Sequence, residues 1–373
     1  MIVVAKVGTS SITGDTGEID ESAIGKFCAE VAALRLAGHR VVMVTSGAIA
    51  AGLPALGLSA VRPRDAVTLQ AASAVGQSRL MRVYDAALAE GGLIGGQVLL
   101  APLDFMVRQQ YLHARSTLTR LLELGVVPVV NENDAIADDE IRFGDNDRMA
   151  ALVAHLIGAD LLVSAPDAPD QLSLLTDQPG LLTGDPRFDA EASLIEEIVE
   201  VDHTLESLAG GVGSDRGSGG MASKLAAAKI AAWSGVRAVI AQADRDGVLV
   251  DAVSGQAGVG TVVVPRRRRL PARKLWIAFA VGSSGTVIVD EGAKQALLER
   301  GVSLLPAGVT GVKGSFEADE AVEIAGPDGA VFAKGLCRLD AAGLREVAGM
   351  RTFELPEGIT HEVVHRDDLV VLP

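Results

Sequence analysis

A lysine stands inside an otherwise apolar run near the start of the chain, Ile2-Val3-Val4-Ala5-Lys6-Val7-Gly8-Thr9-Ser10-Ser11. A run of this kind reads as a buried strand of a parallel sheet. An unpaired ammonium is costly to bury, so Lys6 needs either an anion beside it or a route to solvent along its own stem. The turn Gly8-Thr9-Ser10 suits close approach of backbone N–H groups to a phosphate. A second apolar run, 40–44, ends in Thr45-Ser46-Gly47-Ala48, and a third, 126–130, ends in Asn131-Glu132-Asn133-Asp134. A fourth, 172–175, leads into Thr176-Asp177. Hydroxyls, amides and carboxylates thus gather after strands, where they could orient a small anionic or zwitterionic ligand. The stretch Ser218-Gly219-Gly220-Met221-Ala222-Ser223-Lys224 places glycines ahead of a helix, whose first N–H groups and dipole favour phosphate. It is not a GxxxxGK[ST] loop, and the chain contains none. Each group also has a purely structural reading. Asn131 and Asp134 could form turns, Asn146 could cap a helix, and 210–220 could be a glycine-rich loop.

The elements that must position these residues are legible from periodicity. Helices are predicted over 21–37, 66–89, 111–124, 146–157 and 224–232, with further strands at 96–100 and 238–241. This alternation predicts a doubly wound, mainly parallel α/β sheet sandwiched by helices, with ligands at the C-terminal edge of the strands. Pro128 argues against an ordinary interior place for its strand. After Leu161-Leu162-Val163 comes a proline- and aspartate-bearing stretch, Ser164 to Gln171, which reads as an insertion with loop chemistry. With the strand at 172–175, the insertion falls on the edge away from the ligand site and affects chemistry little. With the strand at 161–163, Thr176 and Asp177 are displaced.

Near Val264 the character changes. Pro265 and Pro271 flank the basic run Arg266 to Arg269. The expected organisation is a first domain over 1–264, a solvated linker over 265–272 and a small β-rich domain over 273–373. Composition narrows the function classes. Formal net charge is −15, which argues against general binding to nucleic acid or membrane surfaces. Over 271–373 there are ten Lys and Arg against fifteen Asp and Glu, so the second domain does not favour RNA backbone either. Cys28 and Cys337 stand far apart without a CxxC pair, which predicts a reducing compartment and no zinc site. No segment is apolar enough to span a bilayer and no basic region precedes the first strand, so a soluble cytoplasmic protein is expected.

Several segments together carry a family resemblance. They are Val-Gly-Thr-Ser at 7–10, Val-Thr-Ser-Gly-Ala-Ile-Ala-Ala-Gly at 44–52, Ala-Val-Gly-Gln-Ser-Arg-Leu at 74–80 and Asn-Glu-Asn-Asp at 131–134. Further matches are Gly-Asp-Asn-Asp at 144–147, Leu-Leu-Thr-Asp-Gln at 174–178 and Gly-Gly-Met-Ala-Ser-Lys at 219–224. In this order they resemble the glutamate 5-kinase branch of the amino acid kinase family. Arg-Lys-Leu-Trp-Ile-Ala at 273–278, Val-Asp-Glu-Gly-Ala at 289–293 and Ser-Leu-Leu-Pro-Ala-Gly at 303–308 resemble the PUA domain, a small β-barrel.

The resemblance implies ATP- and Mg2+-dependent phosphorylation of the γ-carboxylate of L-glutamate, the first step of proline biosynthesis. It also implies inhibition by proline and a homo-oligomer, dimer or tetramer. By analogy Lys6 and Lys224 contact the transferring phosphoryl group from opposite sides, and Asp147 holds them apart. Ser46, Gly47, Asn131, Asp134 and Asn146 line the glutamate site. ATP lies along Lys6, Gly8, Thr9, Ser10, Thr176, Asp177 and the segment Ser218 to Lys224. No protein metal ligand is implied. Two alternatives stay open: another carboxylate kinase of the family, such as one acting on acetylglutamate, and an RNA-binding role through the second domain.

Overall fold

The computed structural model describes residues 1–14, 18–58, 63–136, 146–164, 180–184, 191–209, 220–243, 245–267, 269–279, 281–356, 358 and 360–372. The chain divides into two compact units, Met1–Arg269 and Leu270–Pro373.

In the first unit the chain runs β1 (Ile2–Lys6), α1 (Glu21–Leu36), β2 (Arg40–Val44), α2 (Ala48–Gly52), α3 (Ala66–Glu90) and β3 (Gly95–Leu100). It continues through α4 (Pro102–Met106), α5 (Arg108–Glu123), β4 (Val127–Glu132), α6 (Asn146–Ile157) and β5 (Leu161–Ser164). The unit closes with β6 (Glu197–Ile198), α7 (His203–Leu208), α8 (Met221–Trp233), β7 (Arg237–Ile240), α9 (Val248–Ser254) and β8 (Thr261–Val263). Helix starts follow the sequence: Asp20 and Asp65 cap α1 and α3 by accepting from Ala23 N–H and Thr68 N–H.

Among the described residues eight strands form one sheet in the order β3-β4-β2-β1-β5-β7-β8-β6. Strands β1 to β5 and β7 run parallel, and β8 is antiparallel to β7. The chain starts in the middle, builds one wing and then crosses to the other, which is double winding about β1. The register sets Lys6 level with Val44 of β2 and Ser164 of β5. The strand ends that carry polar residues therefore share one edge.

Pleat parity decides which face each side chain enters, because successive residues alternate. Val3, Ala5, Val41, Met43, Val127, Val129, Leu161 and Val163 join one core with α1, α3 and α9. Residues of opposite parity, Val4, Lys6 and Ser164, meet the other layer, in which α6 packs on α8 and against β1 and β5. Lys6 is thereby aimed at α6 and α8, and Asn131 at α3.

One open alternative is decided here and one expectation is overturned. The strand beside β1 is 161–164, registered with both β1 and β7, whereas 172–175 lies outside the described residues. The stretch 165–171 lies outside the described residues as well. Two short apolar runs look alike in sequence, and pairing with neighbours chose between them. The strand containing Pro128 also lies inside the sheet, between β3 and β2. Val127 N–H points toward the β3 side, where it bonds Ile94 O just ahead of that strand, so the nitrogen of Pro128 faces β2. Pairing with β2 begins only at Met43↔Val129, so no ladder bond is lost.

The second unit contains α10 (Ala272–Phe279), β9 (Gly285–Val289), α11 (Glu291–Arg300), β10 (Val309–Gly314) and β11 (Ala321–Ala325). It ends with β12 (Val331–Leu336), α12 (Ala341–Val347) and β13 (Leu369–Val371). Its sheet has the order β10-β9-β11-β12-β13, with β9 and β11 parallel and the other pairs antiparallel. A separate core of Val287, Val289, Leu297, Val322, Ile324, Leu344 and their neighbours holds it together. The basic run between the units is not wholly solvated. The Arg266 guanidinium stacks 4.0 Å from the Trp233 ring centroid and pairs with Glu200, a cation–π contact inside the first unit.

Candidate active site

Lys6 ends β1 with only 3% of its surface exposed, so its stem does not lead the ammonium to solvent. The ammonium lies 2.9 Å from Asp147 Oδ1, while Lys224 Nζ lies 3.2 Å from Asp147 Oδ2. Asp147 is fully buried in the first turn of α6, and Lys224 is buried in the first turn of α8. Ser164 Oγ donates to Asp147 Oδ1 at 2.7 Å. Ser223 Oγ lies 3.0 Å from Oδ2 and 2.9 Å from the Gly220 carbonyl. Burial alone would raise the Asp147 carboxyl. The two ammonium groups and the Ser164 hydroxyl overcome that effect and bring it down to about 2. One carboxylate between two ammoniums leaves a net positive centre. Such a centre can take up negative charge that grows on transferring oxygens.

Next to this clamp lies a cluster of amides and hydroxyls. Asn146 Nδ2 is within 2.7 Å of the Thr45 carbonyl, 2.7 Å of Ser46 Oγ and 2.9 Å of Asn131 Oδ1. Its side chain thus turns to the ends of β2 and β4 instead of capping its own helix. Asn131 lies within β4, almost wholly buried, and does not form a turn. Its Oδ1 also accepts Glu132 N–H at 2.9 Å, and its Nδ2 donates to Gln77 Oε1 at 2.8 Å. Asp134 opens a 3-10 turn and accepts from Ser73 Oγ at 2.8 Å. Gly47 has φ +89, a conformation that favours glycine, and a Cβ there would stand 3.4–3.7 Å from Thr13, Ile12 and Thr9. The turn after β1, with Gly8, Thr9 and Ser10, and the turn after β2 are therefore packed together. Thr9 O closes the first turn by accepting from Ile12 N–H.

Helix α3 is the scaffold of this half of the site. Gly52 of α2 and Gly76 of α3 meet so closely that a Cβ on either would lie 1.9 or 1.8 Å from a carbonyl oxygen of the other helix. That contact fixes α2, and with it Ser46 and Gly47 just before it. Ser73, Gln77 and Tyr84 form a buried polar stripe on α3 at helical spacing. Tyr84 Oη and Thr45 Oγ1 share a 2.7 Å hydrogen bond. Burial pushes the Tyr84 phenol above its ordinary range, so it remains a neutral partner.

The structure thus brings Lys6, Asp147 and Lys224 into one group, and Ser46, Asn131 and Asn146 into another. Gly220, Met221, Ala222 and Ser223 form the entry and first turn of α8. Thr176, Asp177, Ser218 and Gly219 lie outside the described residues. Sequence reasoning gave no individual site role to Ser164, Ser73, Gln77, Thr45 or Tyr84, although Thr45 follows a strand end and Gln77 lies in a segment that carries the resemblance. The signal for three of them was present, since 73, 77 and 84 place polar groups on the apolar face of a long helix. Ser164 was hidden in what reads as a loop. Among the described residues no group of three or more His, Cys, Asp or Glu could hold a metal ion.

Comparisons with known proteins agree with this geometry. The amino acid kinase family profile matches residues 1–242, and the PUA domain profile matches residues 285–359. A glutamate 5-kinase of Burkholderia multivorans is 45% identical over 99% of this chain and 97% of its own length. One from Burkholderia ambifaria is 44% identical over the same shares. One from Pelobacter propionicus is 42% identical, again over 99% of this chain and 97% of its own. With the clamp, the doubly wound sheet and these matches, the chain belongs to the amino acid kinase family, in its glutamate 5-kinase branch, and carries a C-terminal PUA domain.

Proposed function

We propose that this chain transfers the γ-phosphoryl group of ATP to the γ-carboxylate of L-glutamate, giving γ-glutamyl phosphate and ADP. The observation that carries the reading is the buried Lys6–Asp147–Lys224 clamp beside an amide cluster on one sheet edge. A carboxylate is ionised at neutral pH, so the nucleophile needs no general base. The obstacle is repulsion between two anions. Lys6 from the sheet and Lys224 from the start of α8 spread the charge that develops on the phosphoryl oxygens. Asp147 relieves repulsion between the lysines and transfers no proton. Asp134 and Asn146 receive the α-ammonium of glutamate, while donors around Gly47 and Asn131 receive its carboxylate.

The remaining parts of the reading rest on family membership. ATP lies along Gly8 to Ser10 and Ser218 to Lys224; with the strand at 161–164, Thr176 and Asp177 do not directly follow it in the chain and are not assigned to the nucleotide. Mg2+ arrives with ATP, held chiefly by its phosphates and water, as this ion usually is. Asp147 is engaged by lysines and hydroxyls, so it is not offered as a ligand. Proline acts as feedback inhibitor at the glutamate site, the protein is a homo-oligomer, and it works in the cytoplasm. No helix among the described residues is long and apolar enough to cross a membrane. The kinase domain spans 1–264 and the PUA-like domain 273–373, joined by 265–272.

The test is ATP-dependent phosphorylation of glutamate and of N-acetylglutamate by the wild type and by Lys224→Ala. Glutamate should be the substrate, and loss of Lys224 should lower kcat by about 10²-fold or more. Phosphorylation of N-acetylglutamate in preference to glutamate would reject the reading, and an unchanged kcat would remove Lys224 from the mechanism.

A further inference from the structure

The amide cluster is pinned at two points by backbone, and this fixes what it presents to a ligand. The Thr45 carbonyl can only accept, so the atom of Asn146 facing it must be Nδ2. The Glu132 N–H can only donate, so the atom of Asn131 facing it must be Oδ1. Asn131 Nδ2 then points at Gln77, whose Oε1 must be the inward atom. With all three amides oriented, two buried atoms have no partner among the described residues: Asn146 Oδ1, an acceptor, and Gln77 Nε2, a donor. Gln77 is only 7% exposed. A buried amide donor left unmet is unfavourable, and native proteins rarely keep one without a use.

We propose that Gln77 is a substrate-binding residue: its Nε2 donates to the α-carboxylate of the bound amino acid, while Asn146 Oδ1 accepts from the α-ammonium. Both atoms belong to amides bonded to Asn131, on its two sides. A donor and an acceptor on the two amides that flank one asparagine match the carboxylate and ammonium carried on one carbon of an α-amino acid. The site reads the head group by this pair, and the clamp acts on the other end of the molecule. This inference rests on the proposed glutamate reading and names a residue within it.

The experiment compares Gln77→Glu and Gln77→Met with the wild type, measuring KM for glutamate, KM for ATP and kcat. Glutamate at 77 keeps the oxygen that accepts from Asn131 but loses the donor. Methionine loses both without adding charge. A direct donor role predicts that both variants raise the glutamate KM about tenfold or more and leave the ATP KM within about twofold. Three outcomes would overturn it. If Gln77→Glu is close to wild type and only Gln77→Met is impaired, Gln77 merely supports Asn131. If only Gln77→Glu is impaired, the effect is charge alone. A parallel rise in both KM values marks a general structural role. Should either variant fail to fold, the wild type decides, since the Gln77 side-chain amide resonances must shift on addition of glutamate. Unmoved resonances reject the contact. Absence of glutamate phosphorylation by the wild type would instead reject the proposed function, which separates the two failures.

Discussion

At the clamp, Asp147 engages Lys6, Lys224 and Ser164, with Ser223 also at hydrogen-bond distance, so the protein satisfies its charge before any ligand arrives. At the amide cluster a few residues away, Gln77 Nε2 and Asn146 Oδ1 have no partner among the described residues. The two halves share one sheet edge and differ in what they can leave unmet. An isolated buried charge costs several kcal/mol, roughly twice or more what an unpaired buried amide atom costs. The buried Asp147 charge must therefore be compensated within the fold, which leaves one net positive charge for the phosphoryl group, whereas the recognition amides can wait for substrate. Charge is stored in a closed group, and specificity in an open one.

Opening the closed group should have the largest effect. Asp147→Asn leaves two buried ammoniums without their carboxylate. It should lower stability by about 3–5 kcal/mol and kcat by about 10³-fold, read by urea unfolding and steady-state kinetics. A variant of wild-type stability would show that the clamp is not held by charge. The same carboxylate predicts a pH dependence. Its folded value, about 2, lies below the ordinary 3.8. Its contribution is therefore fully present above the ordinary value and is lost as pH falls through the folded one. Acid unfolding of the wild type should carry this component, and that of Asp147→Asn should not.

Disturbing the scaffold of the open group should cost less. Gly76→Ala drives a methyl toward the Ala48 carbonyl, 1.8 Å away. It should destabilise by about 1–3 kcal/mol and raise the glutamate KM more than it lowers kcat, because α2 carries the Ser46–Gly47 turn with it. A rise in the ATP KM alone would place that turn on the nucleotide side. The smallest change is expected of Ser73→Ala, which removes one donor from Asp134. Asp134 keeps its own charge and loses one donor that orients it, so a loss of about 1 kcal/mol, a rise of roughly fivefold in the glutamate KM, is expected, with kcat unmoved. If Ser73→Ala matched Asp147→Asn in kcat, the division between a closed and an open group would fail.

The closed group was easier to see in the sequence than the open one. A lysine in the apolar run 2–7 and polar residues after several strands mark a ligand edge, because burying charge without purpose is costly. The long helix and its caps were equally plain, since Asp20 and Asp65 signal helix starts locally. Gln77 stands in a segment that carries the resemblance, but neither it nor Ser73 shows a role by its type, because polar residues on a helix are ordinary. Only their burial makes them unusual, and burial is not a local property.

Composition, periodicity and local capping chemistry determined that this protein has a doubly wound sheet, a separate β-rich second unit and a ligand edge built from strand ends. These features depend on residues near one another in the chain, so sequence carries them. The tertiary structure decided which of two apolar runs is the strand beside β1, and so brought Ser164 to Asp147. It also let Pro128 sit inside a sheet and turned Asn131 toward α3 while Lys6 faced α6 and α8. Those outcomes depend on register and pleat parity between strands far apart in sequence, quantities fixed only when the strands pair.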